Sequence, residues 1–271
     1  MKSLLEITNL FKKSNVMNWK TASPIHPKNR GIPTPSKKFN TSCEGCNICV
    51  EVCPTKAIQL ESPQVLHIDY GACLQCGECV SHCPENKLQN SGFIYVFSKH
   101  RDLLKATYKD GELIPKKELP NTKNHDDFEK LTFKNGFLYR EVAAAGNNTV
   151  ECELNASYNS VFDSEREGVR CVASPKHADA VVYSGPISGK MAGPLADALA
   201  VISEPKALIA CGTEAVSGGL YQMGTIPKDP DLYIAGDPPR PDVSIQAFRY
   251  LMGRFPFSFQ EALHKFLSSE K

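Results

Sequence analysis

Long apolar runs are what this chain of 271 residues most clearly lacks. No stretch approaches about 18 consecutive apolar residues, so no membrane-spanning helix is expected. The start, MKSLLEITNLFKK, is broken by Glu6, Thr8 and Asn9 and so lacks the continuous apolar segment of a signal peptide. An excess of one charge is also missing. With 31 Lys+Arg against 30 Asp+Glu, a net charge of +1 gives no overall electrostatic basis for nucleic-acid binding. No phosphate-cradling loop, dinucleotide fingerprint or H-E-x-x-H pair occurs, and the seven His are scattered. At 41% hydrophobic, the chain is too apolar for general disorder and long enough for one large or two ordinary domains. Cysteine is plentiful, with 11 residues. Read without export, in a reducing compartment, these are metal ligands or buried thiols rather than disulfides.

Charge is uneven along the chain. Residues 1–42 carry seven Lys and Arg30 against Glu6, a net of +7. Residues 43–90 carry Lys56 and Lys87 against six carboxylates, a net of −4. Leu4, Leu5, Ile7, Leu10 and Phe11 fall near helical spacing, which predicts a terminal helix. Such a helix packs on its own protein or lies on a partner or on anionic lipid.

The chemistry is concentrated in a repeat. Cys43-Glu-Gly-Cys46-Asn-Ile-Cys49-Val-Glu-Val-Cys53-Pro54 recurs 30 residues later as Cys73-Leu-Gln-Cys76-Gly-Glu-Cys79-Val-Ser-His-Cys83-Pro84. Both read C-x2-C-x2-C-x3-C-P, the bacterial two-cluster ferredoxin run. Three thiolates two residues apart share one tight loop, whereas the fourth lies past a helical turn and ligates the other cluster. That assigns Cys43, Cys46, Cys49 and Cys83 to one 4Fe–4S centre and Cys73, Cys76, Cys79 and Cys53 to a second. Zinc is the alternative for paired C-x2-C units, but two complete runs each ending in Cys-Pro favour the cluster. His82, beside Cys83, is expected to tune the site or pack.

Downstream, Lys109–Lys130 is polar and without apolar periodicity, and reads as a linker. Asn135-Gly136 between apolar, β-prone runs predicts a hairpin. Beyond residue 165, candidate strands Val169–Ala173, Ala178–Ser184, Lys206–Cys211 and Leu232–Ala235 alternate with candidate helices Met191–Ile202 and Val243–Gly253. That pattern predicts a doubly wound parallel sheet, whose ligand chemistry belongs to the loops after the strand C-termini. Those loops are Gly185–Gly189, Gly212–Gly219 and Gly236–Pro241. Cys171 and Cys211 lie in apolar strand patterns and are expected to be buried, inert thiols.

Two resemblances follow from these residues. The cysteine module, with Ser23-Pro24-Ile25-His26-Pro27-Lys28-Asn29-Arg30-Gly31-Ile32-Pro33, resembles the two-cluster subunit of respiratory complex I and of membrane-bound nickel–iron hydrogenases. Residues 137–255 resemble the twenty-kilodalton, cluster-bearing subunit of complex I and the hydrogenase small subunit. The second match rests on Arg140-Glu141-Val142, Val172–Asp179, Ser184–Ile187, Met191, Pro194-Leu195, Pro205-Lys206, Gly218-Gly219 and Gly236-x-Pro238-Pro239. The resemblance implies an α+β ferredoxin module of the bacterial two-cluster type followed by an α/β, flavodoxin-like, doubly wound parallel-sheet domain. It divides the chain into a basic N-terminal helix and Pro-rich arm (1–42), the ferredoxin domain (43–100), a linker and hairpin (101–136), the domain like the twenty-kilodalton subunit (137–255) and a C-terminal tail (256–271).

The related domain holds a third cluster on four cysteines. Here the corresponding positions read Thr149, Cys152, Glu214 and Asp237, which leaves one thiolate among hard oxygen ligands, so the third centre is expected to be lost. These residues could instead hold a divalent metal, or plug the old cavity by bonding to backbone amides.

The function implied is electron transfer through two 4Fe–4S clusters in a complex I-like or group 4 hydrogenase-like assembly, with no complete active site of its own. Its expected partners are a hydrogenase large subunit, or its counterpart in complex I (the forty-nine-kilodalton subunit), and the membrane subunits of the same complex, without nucleic acid. The expected location is peripheral, on the cytoplasmic face of the cell membrane. A structural or regulatory subunit whose second domain serves only for docking, or an enzyme using Cys152, Glu214 and Asp237, are the alternatives.

Overall fold

The computed structural model describes residues 17–26, 28–40 and 43–269. The expected terminal helix, Leu4 to Lys13, lies outside the described residues. In chain order the elements are β1 (Pro33–Pro35), α1 (Ile48–Glu51), β2 (Ile58–Ser62), β3 (Val65–Asp69), α2 (Glu78–Ser81), β4 (Leu88–Asn90), β5 (Phe97–Ser98), β6 (Lys105–Lys109) and β7 (Glu112–Ile114). They continue with α3 (Lys123–Thr132), β8 (Leu138–Ala143), α4 (Thr149–Ala156), β9 (Arg170–Cys171), β10 (Ala180–Ser184), α5 (Ala192–Ala200), β11 (Ala207–Cys211), α6 (Thr213–Ser217), β12 (Leu232–Ile234), α7 (Pro241–Leu251) and α8 (Phe259–Ser269).

The larger sheet runs β5-β12-β11-β10-β8-β9, parallel except for the antiparallel β5 edge. Numbered from β8, its parallel strands follow the order 2-1-3-4-5. The central strands AVVYS and ALIAC are buried at every position, as expected of parallel strands covered on both faces. All four expected strands and both expected helices of this half are present, with ends shifted by up to two residues.

A four-stranded antiparallel sheet, β2-β3-β6-β7, belongs to the cysteine module, and β1 pairs with β4 beside it. The two modules interleave. β5 lies within the expected ferredoxin range but pairs with β12, while β6 and β7, inside the expected linker, extend the ferredoxin sheet from β3. The reason is an aromatic seam. Phe97 packs on Phe257 with ring centroids 4.4 Å apart, and Phe93 meets both Phe259 and Phe266. Tyr70 of the ferredoxin half also meets Phe259, at 5.7 Å.

Two further expectations are corrected. The segment 256–271 is not a simple tail, because α8 packs its buried Phe259, Leu263 and Phe266 into that seam. The hairpin at Asn135-Gly136 is absent, since Leu131 and Thr132 end α3. That helix is started by a box in which Thr122 Oγ1 accepts the His125 N–H and His125 Nδ1 accepts the Thr122 N–H. Burial of His125, Phe128 and Thr132 then secures it.

The described part of the basic arm straps the halves together. Gln246 donates to the Trp19 carbonyl at 2.9 Å, and Met17 donates to the Val161 carbonyl. The arm then bridges Ile25 to Phe93 and enters β1.

Candidate metal centres and the adjoining crevice

The Cys-x2-Cys-x2-Cys loops are short and tightly turned; the Cys46 N–H bonds back to the Cys43 carbonyl at 3.1 Å. After each loop a single helical turn, α1 or α2, carries the chain across to the other half. The result is a partition that crosses sequence order. Cys43, Cys46, Cys49 and Cys83 line one cavity, with Phe39, Leu60 and Leu88 among its apolar walls. Cys53, Cys73, Cys76 and Cys79 line a second, walled by Pro33, Ile58 and Leu74.

Backbone amides point at the sulfurs. Ala57 N–H donates to Cys53 Sγ and Lys87 N–H to Cys83 Sγ, both at 3.2 Å. Gln75 N–H donates to Cys73 Sγ at 3.4 Å. Burial raises the thiol pKa of Cys43, pushes that of Cys49 up to about 11, and pushes those of Cys73 and Cys79 up to about 12. Without metal these thiols stay protonated at neutral pH, so metal loading must displace their protons. Four soft donors per cavity, aimed amides and an apolar wall fit a 4Fe–4S group. Among the described residues, no three or more His, Cys, Asp or Glu are placed to hold a single metal ion.

Lys87, which carried no sequence signal beyond its charge, lines the first cavity with only 5% of its side chain exposed. Its ammonium pairs with Glu85 at 3.0 Å and reaches Cys43. Burial lowers its pKa, but Glu85 and Cys43 outweigh that and hold it above the ordinary lysine range. The expected tuning role of His82 is not supported by its position: it is half exposed and bonded to the Glu78 carbonyl at 3.0 Å.

The second cavity abuts the large sheet. Thr213 Oγ1 donates to the Cys73 carbonyl at 3.1 Å, and the Gly236 N–H donates to Thr213 Oγ1. Arg101 grips Asp69 through both oxygens, at 2.7 and 2.8 Å, and gives its Nε–H to the Val216 carbonyl. The cysteine module therefore sits at the C-terminal ends of β11 and β12, beside the crevice of the parallel sheet.

In that crevice Thr149, Cys152, Glu214 and Asp237 surround the loop after β8. Thr149 Oγ1 donates to Asn147 Oδ1 at 2.6 Å, and Asn147 Nδ2 donates to Asp237 Oδ1 at 3.4 Å. Asn148 Nδ2 lies 3.9 Å from Cys152 Sγ, which is exposed. Glu214 is only 6% exposed. Burial and then Asp237 raise its pKa, opposed by a bond from the Asn147 backbone N–H. Gly185 is required here: at φ +77°, an added Cβ would lie 2.3 Å from the Gly146 nitrogen. Sequence reading missed Glu151, a buried neighbour whose Oε1 accepts the Ser184 hydroxyl at 2.5 Å and whose Oε2 has no hydrogen-bond partner. Cys211 is buried in β11 as expected. Cys171 is instead exposed, because β9 is a two-residue edge strand paired on one side only.

Comparison with known proteins matches each half. Residues 42–87 fit the family described as 4Fe-4S dicluster domain, and residues 148–251 the family NADH ubiquinone oxidoreductase, 20 Kd subunit. Formate hydrogenlyase subunit 7 of Escherichia coli is 33% identical over 127 residues, covering 44% of this chain and 49% of that protein. An NADH-quinone oxidoreductase subunit of Desulfovibrio desulfuricans is 34% identical over 102 residues, covering 35% of this chain and 56% of that protein. The chain spans about half the length of these curated relatives. A chain of the membrane-bound sulfane sulfur reductase, an archaeal respiratory membrane complex, aligns with a TM-score of 0.39 at 24% identity, over 46% of this chain and 73% of that one. The chain is thus similar to a 4Fe–4S dicluster domain in its first half and to the 20 Kd subunit in its second.

Proposed function

We propose that this chain is an iron–sulfur electron-transfer subunit of a membrane-associated complex, complex I-like or group 4 nickel–iron hydrogenase-like. Its ferredoxin module combines residues 43–90 with β6 and β7, and its flavodoxin-like, doubly wound second domain, of the twenty-kilodalton subunit type, combines residues 137–255 with the β5 edge strand. Cys43, Cys46, Cys49 and Cys83 hold one 4Fe–4S centre, and Cys73, Cys76, Cys79 and Cys53 hold the other. The observation that carries this reading is the sorting of eight thiols into two four-thiol cavities against their order in sequence.

A bound 4Fe–4S cluster supplies a one-electron store. The protein's residues do the rest. The Ala57, Lys87 and Gln75 amides stabilise negative charge on sulfur. Phe39, Leu60 and Leu88 on one side, and Pro33, Ile58 and Leu74 on the other, exclude water. Thr213 ties the second cavity to the crevice, where a hydrogenase large subunit or its complex I counterpart docks. The third centre is lost, because Thr149, Glu214 and Asp237 offer oxygen where thiolates are needed and only Cys152 offers sulfur. Among the described residues no helix is long and apolar enough to cross a membrane. The basic arm, residues 1–42, places the chain peripherally on the cytoplasmic face, beside the membrane subunits.

One observation favours a second reading, in which the second domain serves only for docking: the side chains at its crevice bond to one another, Asn147 to Asp237 and Thr149 to Asn147. Iron and sulfide analysis with electron paramagnetic resonance on the anaerobically purified complex tests the proposal. About eight irons per chain are expected. Close to twelve irons, with one signal lost in Cys152→Ser, would overturn the two-cluster reading. Clusters that reduce but never exchange electrons with the copurified partner would favour docking alone.

A further inference from the structure

The two halves of the cysteine module share one backbone design, and a single pair of positions breaks the symmetry. Three residues after the fourth cysteine of each run, Lys56 and Asn86 adopt nearly the same left-handed conformation, with φ of 55° and 54°. One residue further on, Ala57 and Lys87 each donate a backbone N–H to the preceding cysteine sulfur at the same 3.2 Å. Their side chains differ completely. Ala57 gives the second cavity a methyl group, whereas Lys87 gives the first an ammonium that is nearly excluded from water.

The surrounding charges deepen the contrast. Glu85 pairs with Lys87, but its own side chain is 67% exposed, so water screens the carboxylate far more than the ammonium. The second cavity is lined by Glu78, which is half exposed and faces His82. A cation does lie near the second loop, since Arg30 donates to the Cys76 carbonyl. That guanidinium is exposed and engages a backbone oxygen rather than a thiol.

We infer that Lys87 makes the two centres unequal: its buried positive charge favours the reduced cluster in the Cys43, Cys46, Cys49 and Cys83 cavity and sets that centre at a higher potential than its Ala57-flanked twin. Cluster potentials respond to nearby charge, to hydrogen bonds at sulfur and to solvent exposure. The amide bonds that follow the fourth cysteines are matched, and the additional Gln75 N–H to Cys73 Sγ bond lies in the second cavity, so the charge of Lys87 is the difference that favours the first. An oxidised cluster gains one electron and one unit of negative charge on reduction, and a buried cation beside it stabilises that product. The electron therefore rests in the first cavity, away from Thr213, and reaches the crevice side only by an uphill step. This inference rests on the cluster assignment proposed above.

The test is a mediated redox titration of the reconstituted full chain, with dithionite as reductant, followed by electron paramagnetic resonance. A Cys79→Ser chain, which keeps all four thiols of the first cavity, assigns the signals. Lys87→Met should shift the reduction equilibrium of the first centre about tenfold towards the oxidised form, about 59 mV for one electron, and leave the second in place. Lys87→Arg should restore most of the shift. Glu85→Gln, at an exposed position that does not threaten folding, should move the first centre the opposite way, by about two- to threefold. Intact clusters whose potentials ignore all three substitutions would overturn the inference, as would equal shifts at both centres. Absence of clusters from the unaltered chain would instead overturn the cluster assignment itself.

Discussion

Paired cysteine substitutions distinguish crossed from sequential ligation, because the two arrangements predict opposite iron counts. Cys46→Ser with Cys83→Ser removes two of the four thiols lining the first cavity and none from the second. Serine keeps the size but replaces a soft thiolate by a hard oxygen, and two remaining thiolates are too few for a cubane. About four of about eight irons should remain, with one reduced signal and no coupling between centres. Cys46→Ser with Cys53→Ser takes one thiol from each cavity, so both centres are damaged and little intact 4Fe–4S should survive. The pair Cys43→Ser with Cys83→Ser repeats the first result from a different loop position. Anaerobic reconstitution, iron and acid-labile sulfide assays, and low-temperature electron paramagnetic resonance after dithionite reduction provide the readout. Four irons retained by the Cys46/Cys53 pair, with none in the Cys46/Cys83 pair, would refute the crossed assignment and with it the ligand reading of both cavities.

Arg101→Ala should cost about 2 kcal/mol, the scale of a charge-assisted bidentate pair a quarter exposed to solvent, seen as a lower urea midpoint at unchanged slope. Arg101→Lys should recover less than half, because a point charge cannot reproduce the fork on Asp69. His125 is held neutral, its pKa lowered first by burial and then by Lys99 and His100, against the opposing pull of Asp231. Its stabilisation is therefore complete above the unfolded value near 6.5 and is lost as pH falls towards the lower folded value; His125→Gln should flatten the melting profile between about pH 7 and 5. Glu214 has the reverse sign: its raised pKa means that ionisation at neutral pH opposes folding. Glu214→Gln should raise Tm by about 2–4 °C near pH 7, roughly 1 kcal/mol, and the gain should vanish in acid. Thr149→Cys, Glu214→Cys and Asp237→Cys, combined with native Cys152, should raise iron from about eight to about twelve per chain if the crevice retains third-cluster geometry.

The cluster chemistry and the core of the parallel sheet were legible from residue order alone. Cysteine spacing is a local property, and C-x2-C-x2-C-x3-C-P dictates both the ligand loop and the turn that throws the fourth thiol across. The runs AVVYS and ALIAC are likewise self-announcing, since strands buried on both faces read as nearly continuous apolar runs. Features that depend on distant residues emerge only in the folded molecule. Phe97–Ser98 joins the large sheet because Ile234 and Tyr233 wait beside it, and Phe259–Ser269 becomes a docked helix because Tyr70 and Phe93 offer it a face. The α3 helix has a weak sequence signature because its cap uses His125 in place of the usual Glu or Gln, and its buried face is only three residues wide. Cys171 read as buried because an apolar pattern does not reveal which strand ends at an edge. Lys87 was countable as a charge, and its offset from Cys83 matches that of Ala57 from Cys53. Only the packed fold takes that charge out of water and sets it against a thiol, because burial is a property of every neighbour at once and spacing is not.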